Sequence, residues 1–567
     1  MSYLRRWRQN EAAAQALAES SDEDDVATNM TVVNVGGYDI TSSSEVFDEN
    51  NVSYNDDSDD NLSDYGFSET IVSSETDSET DNLSDEENDE STLREQLATW
   101  ATSNNLSKKC VDDLLKLLTS RCNTYLPKDS RTLLKTPKMV DYVEKCGGKF
   151  IYFGIRIGLL KILSLKSFSL DASEQNTIKL NFNIDGIPLF KSTGTQFWPI
   201  LCNFKSYTPF MVAIFYSSHK PNSLEEFLID FIEELNELIS EGIQLDNQNF
   251  HIRINAFICD APARAFLKNV KGHSGYNACE RCAVHGYYKD NRVILHSDEV
   301  CTPRTNEDFA AFKYPSHQNG ISPLAASGIP CVTSFSLDYM HLVCLGVVKR
   351  VLWFLRQGPT VCKLSALQVS EISNALISLS GKLPSEFARQ PRSLYDIERW
   401  KATEFRQFLL YTGPVVLKKF LTKEMYEHFL SLTVAIAILL DNDSVTRTSY
   451  LSYAQNLLSY FVKKSKDIYS EKFIVYNVHC LTHLADDCRH FMCSLNEISG
   501  FPFENHLQSV KKLVKKARNP IVQVAKRIQE RKTADLYWVL DLSQHLMLFQ
   551  SKKEIDVFYS MMDRMLL

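Results

Sequence analysis

The chain has 567 residues, 44% of them hydrophobic, and a formal net charge of −10. That length allows two to four domains, and no run of about 18 apolar residues offers a membrane-spanning helix. The charge is unevenly held: residues 21–90 carry 23 Asp/Glu and no Lys or Arg, which leaves the other 497 residues at +13.

A mildly basic body suits a polyanionic partner such as nucleic acid. Met1–Asn10 is charged and lacks the apolar centre of a secretory leader. The 14 Cys are therefore expected in a reducing compartment, where clustered cysteines read as metal ligands before disulfides.

Residues 1–92 read as a disordered acidic tail, because a segment rich in Ser, Asn, Asp and Glu buries too little surface to offset its ordering entropy. From Leu93 the spacing turns helical: Leu93, Leu97, Trp100 and Ala101 form one stripe, and Leu114, Leu115, Leu117 and Leu118 a second. A small helical unit is expected over 93–150. Four strands follow within 175–270: Ile178–Ile184, Phe197–Phe204, Pro209–Tyr216 and His251–Cys259. An amphipathic helix, Leu224–Ile239, precedes the last of them, with Asn222 or Ser223 as its N-cap. Residues 271–490 read as mainly helical, with few strand-like runs after 335. A basic helix from Phe503 to Glu530 dominates 491–535, and 536–567 is a helical tail.

Two aspartates stand where strands end. Asp185 follows Asn183-Ile184, and Asp260 follows Ile258-Cys259. If those strands are neighbours, the carboxylates lie side by side, an arrangement that favours a cation between them. Hard oxygen ligands of this kind hold Mg²⁺ or Mn²⁺ in two-ion phosphoryl-transfer sites. Alone, each residue is equally a turn or capping acid. Glu504, in Phe501-Pro502-Phe503-Glu504-Asn505, is a third candidate near a helix start, followed by Lys511, Lys512, Lys515, Lys516 and Arg518.

Cys279 and Cys282 form a Cys-x-x-Cys pair, half of a tetrahedral zinc site. The other half is open at this point: His273 and His285 are local candidates, and His479 with His483, four residues apart on one helix face, a distant pair.

Several strings in this order resemble the CACTA (En/Spm-like) DDE transposase-derived proteins of animal genomes. They are Asn183–Trp198, Asp260-Ala261-Pro262-Ala263-Arg264, His273–Cys282, Leu337–Val347, Trp400–Phe408 and Phe501–Asn505. The resemblance spans roughly 95–535. It implies an α/β, RNase H-like core, a mixed sheet flanked by helices, interrupted by a long helical insertion before the last acid. Asp185, Asp260 and Glu504 would be the catalytic carboxylates, holding two Mg²⁺ or Mn²⁺ ions. Asp338 and His341 match an Asp-x-x-His motif and are expected to support the site. The related Transib and V(D)J recombinase core implies one structural zinc bound by Cys279, Cys282, His479 and His483. The activity implied is cut-and-paste DNA cleavage and strand transfer in the nucleus by a homo-oligomer. Arg264, Trp400, Arg406, Lys511, Lys512, Lys515 and Lys516 are candidate DNA contacts. A host-captured, catalytically silent DNA- or chromatin-binding protein and an RNase H-like nuclease without strand transfer are the alternatives.

Overall fold

The computed structural model describes residues 86–531, apart from 122–125, 166–167, 171–175, 191–193, 246–247, 297–300 and 385. Most of the expected acidic tail and all of the tail 536–567 lie outside the described residues. The first helix begins seven residues before the expected Leu93, as α1 (Glu86–Ser103), and α2 (Lys108–Arg121) follows it. Together they bury Ala98, Ala101, Val111 and Leu115. Trp100 and Leu117, which belong to the expected stripes, are instead exposed. Leu126, Leu133 and Leu134 complete this small core. It is tied to the far end of the chain by Glu530, a fully buried carboxylate on a helix over 520–531 that pairs with Lys108 at 3.0 Å and Arg527 at 2.9 Å.

The body is mixed α/β, built on a nine-stranded sheet. Its long strands are β3 (Thr177–Ile184), β5 (Gln196–Phe204), β6 (Phe210–Ser217) and β8 (Gln248–Cys259). Shorter ones are β1 (Val143–Lys145), β2 (Gly148–Tyr152), β4 (Ile187–Pro188), β7 (Ile243–Leu245) and β11 (Phe335–Leu337). Between β8 and β11 in the chain, β9 (Tyr287–Lys289) and β10 (Arg292–Ile294) form a separate antiparallel hairpin. The order of the main sheet is β1-β2-β6-β5-β3-β8-β11, with β4 on β5 and β7 on β8. Pairing is antiparallel from β1 to β3, and β3, β8 and β11 run parallel. The expected sequence of three strands, a helix and a fourth strand is observed. Strands β1 and β2 were not anticipated in the helical unit expected over 93–150, and β11 is the one strand of 335–490 among the described residues; at three to five residues all are too short to show a clear period.

Alternation sets which residues face which layer. On one face Leu180, Phe182, Ile200 and Phe257 pack beneath α3 (Ile155–Leu163) and α4 (Leu224–Glu241), whose Phe227, Phe231 and Leu235 are fully buried. Ser223 is the N-cap of α4, accepting from Glu226 N at 3.2 Å. On the other face Leu201, Ile214, Ile258 and Leu337 meet the helices of residues 340–525. Both faces are covered, as parallel strands require. Among the described residues no helix is long and apolar enough to cross a membrane.

The basic helical stretch expected from Phe503 to Glu530, which contains Pro520, is two helices. The first ends at Lys512, and the chain re-enters a helix at Pro520. Proline lacks the N–H that a continuing helix needs and suits a first helical position. Lys515 and Lys516 therefore sit on an exposed loop, whose backbone is held by the Gln523 side chain.

Candidate functional site

Three aspartates occupy the C-terminal ends of three consecutive parallel strands. Phe182 pairs with Phe257, so the register carried three residues on sets Asp185 beside Asp260. Leu337 pairs with Cys259, so Asp338 falls on the other side of Asp260. Asn183 Nδ2 donates to Ile258 O at 2.8 Å and pins β3 to β8 just before the acids. Ligands of open α/β sheets bind at this end of parallel strands.

The three aspartates differ in environment. Asp185 and Asp260 are partly exposed, whereas Asp338 is 1% exposed. Asp185 accepts from Gly186 N at 2.6 Å. Asp260 caps α5 (Ala261–Leu267), accepting from Ala263 N at 2.7 Å through one oxygen. Asp338 accepts three times: from Met340 N at 3.1 Å, from Gly500 N at 2.7 Å, and from His341 Nδ1 at 2.6 Å. It is a support rather than an open ligand.

Its contact with Gly500 ties the helix that bears Glu504 to this end of the strands. Gly500 is the N-cap of the helix Phe501–Lys512, and Glu504 lies in that helix's first turn. A Cβ on Gly500 would stand 2.6 Å from Asp338 Oδ2, so only glycine allows this approach. Burial, and then the charges of Asp260 and Glu504, hold the Asp185 carboxyl well above the usual carboxylate range; His341 opposes them. Burial works against a charge on His341, but the Asp338 hydrogen bond and the charges of Asp338, Asp260 and Asp185 push its pKa up to about 9. Without a cation, an imidazolium thus offsets part of the negative charge. Asp338→Ala would strand Gly500 N and His341 together. Its expected cost is about 3–5 kcal/mol in urea unfolding, with Asp338→Asn much milder because it keeps an acceptor for Gly500.

His341 lies on α6 (Met340–Gln357), whose first nine residues are π-helical, a form associated with functional sites. Two long helices, α7 (Lys423–Leu439) and α8 (Ser444–Tyr469), lead to α9 (Tyr476–Cys480) and α10 (Leu484–Phe491). The helix of Glu504 follows as α11 (Phe501–Lys512). A Cβ on Gly346 of α6 would meet Asn477 Nδ2 at 2.6 Å, so α6 and α9 also touch through a glycine.

A candidate metal site takes one of its residues, His479, from α9. Cys279, Cys282, His479 and His483 present ligand atoms that all lie within 4.8 Å of one another, the one such group of three or more among the described residues. The three carboxylates are not drawn together to that degree. Cys279 Sγ is 3.5 Å from Cys282 Sγ and 3.5 Å from His483 Nε2, and Cys282 Sγ is 3.3 Å from His479 Nε2. A tetrahedral zinc with sulfur at about 2.3 Å and nitrogen at about 2.0 Å sets S···S near ~3.8 Å and S···N near ~3.5 Å. The donor set fits. The chain tightens to a 3₁₀ turn over Leu481–His483, which still leaves both imidazoles on one side. Burial opposes a charge on Cys279, yet donation from Cys282 and Cys480 and the nearby His479 hold it well below the usual thiol range. Of the alternatives, His285 is exposed and bonds Asn277, and neither it nor His273 joins the cluster.

Two expected DNA contacts are corrected. Arg264 is 2% exposed and spends its donors on Glu280, Cys259 O and Tyr476. Trp400 is 4% exposed, packs on Phe405 and Phe408, and donates Nε1 to Ser393 O at 3.2 Å. Trp400→Ala is therefore expected to cost about 3–5 kcal/mol of stability, and Trp400→Phe to leave DNA affinity unchanged in a filter-binding titration. Arg406 is partly exposed, bonds Asn496 and lies over Tyr339 and Phe501 beside the start of α11. Lys512, Lys515 and Lys516 are exposed and Lys511 half-buried.

Sequence reasoning missed Cys480, Glu280, Tyr476 and Asp487. Each is buried; Glu280, inside the Cys-x-x-Cys, and Cys480, between the two histidines, stood in motifs that invited attention. No protein-family model matches the chain, and no curated protein matches its sequence.

Proposed function

We propose that this chain is a DDE-type, divalent-metal-dependent polynucleotidyl transferase of the cut-and-paste transposase kind, akin to the CACTA group. On this reading the sheet is an RNase H-like core, and the helical residues between Asp260 and Glu504 are its insertion. One observation carries the proposal: two aspartates end adjacent parallel strands, and a glutamate 244 positions after the second enters their electrostatic field. A row of partly buried acids is unstable unless a cation compensates it, and oxygen donors suit Mg²⁺ or Mn²⁺.

Asp185 and Asp260 would hold both ions, and Glu504 would complete the second site. When bound, such ions activate the attacking oxygen and stabilise the leaving oxygen of an in-line displacement at phosphorus. The residues of the chain orient them. Asp260 fixes one oxygen on the α5 N-terminus and leaves the other for a ligand. Asp338 aims His341 toward Asp185 and Asp260 and anchors the helix of Glu504. Lys511, Lys512, Lys515, Lys516 and Arg406 would follow the phosphate backbone. DNA ends and target are the expected partners, with nuclear localisation and homo-oligomeric assembly.

The test is Mg²⁺- or Mn²⁺-dependent nicking and joining of DNA carrying the element's terminal repeats. Joined products support strand transfer; cleavage without joining would reduce the chain to a nuclease. A second reading, a captured DNA- or chromatin-binding protein, is favoured by one observation: the Asp260 contact is that of an ordinary helix cap. DNA binding unaffected by Asp260→Asn, with no cleavage by wild type, would establish it.

A further inference from the structure

Zinc needs the two cysteines of Cys279-Glu280-Arg281-Cys282, yet the two residues between them are tied elsewhere, into the sheet. Arg281 Nη2 donates to Phe335 O on β11 and to Asp487 Oδ1 at 2.6 Å. The other oxygen of Asp487 accepts the amide of Leu337 at 2.7 Å. One ion pair thus grips β11 by a carbonyl and an amide two residues apart, immediately before Asp338. The grip matters because β11 is only three residues long, lies at the sheet edge and pairs with β8 alone.

Glu280 leads the other way. It accepts from Arg264 at 2.9 Å, Lys268 at 2.7 Å and the Tyr476 hydroxyl at 2.6 Å. Arg264 donates onward to Cys259 O at 2.7 Å, the residue before Asp260. Tyr476 stands three residues before His479 on α9. The side chains of Arg264, Lys268 and Glu280 are at most 5% exposed. Burying charges in this way carries a desolvation cost that a zinc ligand set does not itself require.

We propose that Glu280 and Arg281 are positioning residues that carry the order of the metal knuckle to the strand ends bearing Asp260 and Asp338. This rests on reading the acids as a divalent-ion site. The knuckle holds the Cys-x-x-Cys turn rigid; the turn holds β11 through Arg281 and the end of β8 through Glu280. Asp338 then holds His341 and Gly500, so a loosened β11 would also release the helix of Glu504.

The experiment uses the full-length, zinc-loaded chain as wild type, Arg281→Met, Arg281→Lys and the charge-matched double variant Arg281→Met with Asp487→Asn. The double variant guards against misfolding from an unpaired buried Asp487. Three quantities are read: zinc per chain, hydrogen exchange of the Leu337 and Gly500 amides, and Mn²⁺ binding by electron paramagnetic resonance. The expected result is full zinc content in all variants. Exchange at both amides rises about tenfold or more in Arg281→Met and in the double variant. Mn²⁺ affinity falls about 10–100-fold, the range typical of lost outer-shell support. Arg281→Lys recovers part of each. Retained zinc with unchanged exchange would overturn the proposal, and so would loss of zinc from both Met variants, which would confine Arg281 to the knuckle itself. If wild type binds no Mn²⁺ while the exchange effects stand, the acid-site reading fails and the mechanical link survives.

Discussion

Asp185→Ala and Asp260→Ala are each expected to lower Mn²⁺-dependent strand cleavage on the order of 10³-fold, the scale seen when a preorganised transition-state contact is removed. Glu504→Ala should do the same. None of the three should unfold the protein, because all are partly exposed; the largest structural cost is the lost cap on Ala263 N in Asp260→Ala, about 1 kcal/mol. Circular dichroism and zinc content would verify the fold, and surviving cleavage in any variant would remove that residue from the mechanism.

Stability should move the opposite way. The folded-state pKa of Asp185 is raised above its unfolded value, chiefly by burial and then by Asp260. The folded chain therefore binds that proton more tightly than the unfolded chain does. The associated stability is full below about pH 4 and is lost as pH rises through the raised pKa. Metal-free Asp185→Asn should thus gain on wild type by about 1.4 kcal/mol for each pH unit between the ordinary carboxylate value and the raised one. Saturating Mg²⁺ should reverse the order, because only wild type gains from the cation. Melting temperatures of both proteins across pH, with and without Mg²⁺, measure this. Equal curves would mean the acids do not share one field.

Zinc removal is the second large effect. Elemental analysis should give one zinc per chain, and Cys282→Ser or His479→Ala should abolish it. The loss should cost roughly 4 kcal/mol for zinc present at a thousand times its dissociation constant. Wild-type protein that contains no zinc and melts unchanged in chelator would refute the metal centre.

What the sequence revealed follows from where the signals are local. Strand β3 alternates Ile178, Leu180, Phe182 and Ile184, and α4 repeats its apolar residues at helical spacing, so both elements were legible with their caps. Cys279 and Cys282 carry their own spacing. The histidine pair, about 200 positions away, stood only as one open alternative beside His273 and His285, and Glu504 only as one more acid near a helix start; family resemblance chose them. Asp338 stood out only through the Asp-x-x-His resemblance; its strand and its partner were opaque, because a three-residue strand has no period and the bond to Gly500 spans 162 positions. Arg264 and Trp400 misled for a related reason. Both residue types serve nucleic-acid surfaces and buried networks alike, and only burial separates the two. Glu280 reaches Tyr476 and Asp487 reaches Arg281 across the fold, which no local pattern encodes.

On the proposed function, Asp185, Asp260 and Glu504 gather divalent cations. Crystals of the zinc-loaded protein soaked in Mn²⁺ and phased on anomalous scattering test it most directly. Manganese is expected between these carboxylates, two ions about 4 Å apart once DNA is bound, and none in Asp185→Asn. Saturating Mn²⁺ that leaves the three acids without an ion, with DNA present, would contradict it.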